Sequence, residues 1–160
     1  MSQPTDTPKP SAVIHLDWGG ERTFDTGRPG GPTMRLDARG TAGQSPVDAV
    51  MSALAACTAV DVLDILEKRR TPLTSLSIDA VGARAETVPR RIVAAELTYH
   101  MSGDGVDRVH AERAIELALT KYCSVRESLD SALPVHYRAV INGEEGMLLL
   151  AGAGAEPAGA

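Results

Sequence analysis

A chain of 160 residues is long enough for one domain that buries roughly 70% of the surface its unfolded chain exposes. Its 16 basic and 21 acidic residues leave a formal charge of −5, which excludes a general electrostatic affinity for nucleic acid. Aromatics make up 3% of the chain and apolar residues 43%, so the expected core is Ala, Val, Leu, Ile and Met.

The opening "MSQPTDTPKPS", residues 1–11, has no apolar signal-peptide core and reads as a disordered lead. The expected location is the cytoplasm, where two cysteines do not form a permanent structural disulfide. "AVIHLDWGGERTFDTG" alternates apolar and polar residues about Gly19-Gly20 and predicts a hairpin with a two-residue turn. "PTMRLDAR" adds a short strand.

"GQSPVDAV" is a helix start, with Ser45 as N-cap, Pro46 at the first helical position and Asp48 closing a capping box. The helix is expected to run to about Arg69, some 36 Å at 1.5 Å per residue. Its apolar positions point in nearly every direction, which predicts burial on most sides. Asp48, Asp61 and Asp64 argue against a membrane span. Cys57 lies mid-helix, with Asp61 one turn later.

"LTSLSIDAVGARAE" and "RRIVAAELTYHM" alternate as strands with one covered face. A second helix is expected from about Val106 to Tyr122, burying Val109, Ile115, Leu119 and Tyr122 with Ala111, Ala114 and Ala118. "CSVRESLDSALP" then starts a short helix, read as capped by Ser124 and Glu127, with Cys123 at the break before it. "VHYRAVI" is the last strand. Strands and helices in this order make the class α+β. The ordered domain spans 12–142, and 143–160 is a tail of low complexity from about residue 151.

Cys57 and Cys123 are the only cysteines. By composition alone, Cys57 reads as a small apolar residue of the core. A metal site is not expected: there is no Cys-x-x-Cys pair, and the four histidines are scattered. Nor is there a Gly-x-Ser-x-Gly nucleophile motif or a phosphate-binding loop. Cys123 precedes a helix start, where the dipole favours a thiolate. A thiolate at Cys57 would need a cation from elsewhere in the chain.

Three segments, in this order and spacing, resemble the OsmC/Ohr family, and more narrowly its YhfA-like subgroup: "SPVDAVMSALAACTAVDVLDIL", "VPRRIVAAELTYHMSG" and "AIELALTKYCSVRESL". The resemblance implies an α+β OsmC-like fold, with two central helices packed on curved antiparallel sheets in an intertwined homodimer. It implies a thiol-dependent peroxidase acting on organic hydroperoxides. Cys57 would attack the peroxide and Cys123 would resolve the sulfenic acid to a disulfide. No bound cofactor is implied; an external dithiol, such as a lipoyl group, would reduce the disulfide. Family peroxidases carry Glu directly after the helix-start Pro. That position is Val47 here, and the acid stands one place on at Asp48, about 100° around the helix. An arginine of the N-terminal region would hold the thiolate, with Arg39 first and Arg35 and Arg22 as alternatives. The other reading is an OsmC-like module, non-catalytic or redox-sensing, that binds a small hydrophobic ligand at the dimer interface.

Overall fold

The computed structural model describes residues 11–154. The expected disordered lead, apart from Ser11, and the last residues of the C-terminal tail lie outside the described residues. The chain forms two compact units, divided between Ala49 and Val50.

The first unit is a three-stranded antiparallel sheet, β1 (His15–Trp18), β2 (Thr23–Gly27) and β3 (Thr33–Asp37), in the order β1-β2-β3. The expected hairpin is present, with Trp18 opposite Phe24. Its connection, residues 19–22, is longer than the two-residue turn expected. Gly20 (φ 96°) and Glu21 (φ 49°) take the left-handed conformation that bends it. Beyond β3, the buried Asp37 carboxylate accepts the backbone N–H groups of Arg39, Thr41 and Ala42 and so shapes the turn. These donors hold its pKa below the ordinary carboxylate value.

Helix α1 (Pro46–Lys68) starts and ends close to where its capping signals place it. The Asp48 N–H donates to Ser45 Oγ at 3.1 Å, and the Ser45 N–H donates to Asp48 Oδ2 at 3.2 Å. The expected burial on most sides is not found. Met51, Leu54, Thr58, Val62 and Leu66 form one buried stripe at helical spacing, while Val60 and Leu63 are exposed. Apolar residues on every side specify a helix, but one layer of sheet can cover only one face of it.

The second unit carries a five-stranded sheet, with β4 (Ser75–Arg84), β5 (Ile92–Ser102), β6 (Val135–Ile141) and β7 (Glu144–Glu145) in that order. The short β8 (Leu149–Leu150) also pairs with β6, so part of the segment read as a tail is sheet. The sheet is mixed rather than antiparallel throughout. β4 and β5 are antiparallel, but β5 and β6 run parallel, from Ala95 opposite Val135 to Met101 opposite Ile141. The parallel pair is reached by a crossover through the second helix, the kind of connection parallel strands require. Ala95, Leu97, Tyr99 and Met101 of β5 alternate into the core with Val135, Tyr137, Ala139 and Ile141 of β6. At Gly82 of β4 an added Cβ would lie 2.9 Å from the Met51 sulfur, so α1 and β4 meet closely there.

The crossover contains α2 (Arg108–Leu117), capped by Asp107, then a wide π turn over Ala118–Tyr122 and the short α3 (Ser124–Ser128). Ala111, Ala114, Ile115, Ala118 and Leu119 are buried as expected. Val109 and Tyr122 are exposed, contrary to expectation. Val109 falls outside that stripe. The π turn explains Tyr122: one more residue fits into the turn, and the next inward position passes from 122 to 123.

Candidate functional site

Two separate elements bring the cysteines together. Cys57 is half-buried on the flank of the α1 stripe, next to Thr58. Cys123 is buried at the end of the π turn, where its N–H reaches back to the Ala118 carbonyl at 2.9 Å. Although 66 positions apart in sequence, the two thiols are near enough for Cys57 to act on the ionisation of Cys123, and both are free. No group of three or more metal-ligating side chains occurs among the described residues.

Cys123, not Ser124, is the N-cap of α3. Its Sγ accepts the Arg126 N–H at 3.2 Å, because the helix begins at Ser124 and the residue before it occupies the cap. The expected thiolate bias at Cys123 is overturned. Burial is the largest influence and pushes the thiol up to about 11; the neighbouring Cys57 adds to this, and the Arg126 N–H offsets it only in part. A five-residue helix has too small a dipole to outweigh the lost hydration.

Tyr99 of β5 completes the floor of the site. Fully buried, its hydroxyl donates to Thr58 Oγ1 at 2.8 Å, and Thr58 donates in turn to the Ala55 carbonyl at 3.0 Å. This chain ties the sheet to α1 one residue after Cys57. Burial raises the Tyr99 pKa, and charge at Cys123 or Asp61 raises it further. In the sequence Tyr99 stands only as one of the alternating positions of the strand "RRIVAAELTYHM". A tyrosine in an otherwise apolar inward row was the available signal, since a buried phenol needs a partner. The π turn left no signal in the sequence.

The other candidate residues have defined places. Asp48 is engaged in the Ser45 cap, nine residues and about two and a half turns before Cys57. Arg39 pairs with Glu21 at 2.8 Å, both largely exposed. Arg35 forms a bidentate pair with Asp25 at 2.9 and 2.7 Å, and Arg22 donates to the Glu21 carbonyl at 3.5 Å. Asp61, one turn after Cys57, has a carboxyl oxygen that is closed off from solvent and accepts no hydrogen bond.

Residues 38–138 match the family model for OsmC-like proteins. Protein YhfA of Escherichia coli strain K12 is 31% identical over 91 residues, which are 57% of this chain and 68% of that protein. A hypothetical protein from Aquifex aeolicus VF5 superposes with a TM-score of 0.74 at 24% identity, covering 83% of this chain and 97% of the other. The organic hydroperoxide resistance protein OhrB of Bacillus subtilis superposes with a TM-score of 0.56 at 14% identity, over 81% of this chain and 97% of its own. The structural likenesses show a shared fold.

Proposed function

The chain belongs to the OsmC-like family, and on that premise we propose that it is a thiol-dependent peroxidase reducing organic hydroperoxides. The observation that carries this reading is that the Cys57 and Cys123 thiols, far apart in sequence, are neighbours. Similarity to the fold of a protein named for organic hydroperoxide resistance supports it.

The environments divide the labour. A thiol held up to about 11 is almost wholly protonated at neutral pH, so Cys123 is a poor first nucleophile. Cys57, half-buried and so reachable, attacks the distal peroxide oxygen. The O–O bond breaks, the alkoxide takes a proton and leaves as alcohol, and Cys57 becomes a sulfenic acid. Cys123 then displaces water from that sulfur, forming the disulfide. An external dithiol, for which a lipoyl group is the candidate, returns both thiols by exchange.

Arg39 is the candidate for holding the Cys57 thiolate. Its exposed pair with Glu21 is weak, so it is released more easily than the bidentate Arg35. Asp48 contributes through the cap that starts α1. The functional unit is a homodimer in a cytoplasmic setting. Support comes from the apolar side chains left exposed on α1, Val60 and Leu63, and on β1, Leu16 and Trp18.

Consumption of cumene hydroperoxide with a dithiol reductant tests the reading. Wild type is expected to turn over, Cys57→Ser to be inactive, and Cys123→Ser to accumulate a trappable sulfenic acid. Equal rates for wild type and Cys57→Ser would overturn it. Absence of turnover in wild type, with a small apolar molecule retained in native mass spectra, would favour a ligand-binding module.

A further inference from the structure

The Asp61 carboxylate stands one helical turn after Cys57 with one oxygen unengaged. Both side chains therefore project from the same side of α1. Its Oδ2 is sealed from solvent and has no donor. Burial first, and the Asp64 charge second, make it more basic than an ordinary aspartate. Buried acceptors in folded proteins are nearly always paired, so an orphan one turn from Cys57 calls for an explanation.

Asp64 on α1 is the charged neighbour that acts on Asp61, and the Tyr99 hydroxyl of β5 lies within reach of the Asp61 charge. Asp61 and Cys123 both lie near enough to the Tyr99 hydroxyl for their charge to act on it. Tyr99 does not serve the carboxylate, because its proton is directed to Thr58. Nor is Tyr99 a base, since burial keeps it neutral.

Disulfide formation in such a site meets an obstacle of proton transfer. Cys123 is held as a thiol and must lose its proton to attack. The sulfenic oxygen must gain one, because hydroxide leaves poorly. A single carboxylate can do both in turn.

We propose that Asp61 is the proton-transfer group of disulfide formation, taking the Cys123 thiol proton and delivering it to the sulfenic oxygen of Cys57. The S–S bond forms as the Cys57 S–O bond breaks. The Cys57 sulfur is reduced, the Cys123 sulfur is oxidised, the thiol proton leaves in water, and Asp61 ends as it began. This inference rests on the peroxidase reading above.

The test is a single turnover of the full chain, reduced and mixed with one equivalent of cumene hydroperoxide. Sulfenic acid is trapped with dimedone and disulfide is followed by mass spectrometry, for wild type, Asp61→Asn, Asp61→Glu and Cys123→Ser. Asp61→Asn is expected to form sulfenic acid at the wild-type rate and to convert it to disulfide at least tenfold more slowly. Wild-type conversion should slow as acidification protonates Asp61. That limb of the pH profile should be absent in Asp61→Asn and retained in Asp61→Glu. If Asp61→Asn resolves at the wild-type rate with the wild-type pH profile, the role of Asp61 falls while the peroxidase reading stands. Equal slowing of formation and resolution would mark a structural effect and also overturn the role. If Cys123→Ser forms no sulfenic acid, the peroxidase reading itself falls.

Discussion

Thr58→Val and Tyr99→Phe should reveal, as a pair, how firmly the sheet is tied to α1 beside Cys57. Thr58→Val keeps the side-chain shape but leaves the Tyr99 hydroxyl, which has no solvent exposure, without its 2.8 Å acceptor. Stranding a buried donor costs about 1–3 kcal/mol. Tyr99→Phe is milder, because Thr58 keeps its own donation to the Ala55 carbonyl at 3.0 Å. Losing one net hydrogen bond of this kind costs about 0.5–1.5 kcal/mol. In the double variant neither group is stranded, so its cost should fall below the sum of the singles by about 1 kcal/mol. Urea unfolding measures this cycle. With a slope of about 1–3 kcal/mol per M, the Thr58→Val midpoint should drop by roughly 1 M. Single costs that add to within about 0.5 kcal/mol would refute the reasoning, because independent sites add that well and directly bonded ones do not. A changed slope would mean that the substitutions had altered the exposed surface as well.

Cys123 alkylation by iodoacetamide, followed in Cys57→Ser, should be slow at pH 7 and rise about tenfold per pH unit through pH 9, as a thiol pushed up to about 11 requires; a plateau near pH 8 would contradict the effect of burial. The Asp37 carboxyl is held below its unfolded value by three backbone donors. It therefore stabilises the first unit above the unfolded pKa, and that contribution is lost as pH falls through the folded value. Asp37→Asn should lower stability at pH 7 and flatten its decline below about pH 4, read by thermal unfolding across pH. Gly82→Val should cost about 1–3 kcal/mol by driving into the Met51 sulfur, and Met51→Ala should recover part of it; no recovery in the double variant would place the strain elsewhere.

Much of this structure follows from signals read within a few residues. Ser45, Pro46 and Asp48 mark the start of α1 because capping bonds join neighbours three apart. Strict alternation along β4 and β5 gives strands with one covered face, since side chains reverse sides at every residue. The order of the three family motifs singled out Cys57 and Cys123 together, which no local pattern does. What the tertiary structure alone decided depends on neighbours distant in sequence. One face of α1 is buried and another is not, although both are apolar, because only one meets the sheet of the second unit. β6 lies parallel to β5 because the crossover through α2 returns the chain in that direction. A single π turn moves the inward position from Tyr122 to Cys123, where lost hydration makes the thiol a weak acid despite the helix that follows. Thr58 and Tyr99, 41 positions apart, meet only because α1 lies across β5. Local bonding identifies the elements, but burial depends on which surfaces meet, and at this site burial governs the chemistry of Cys123.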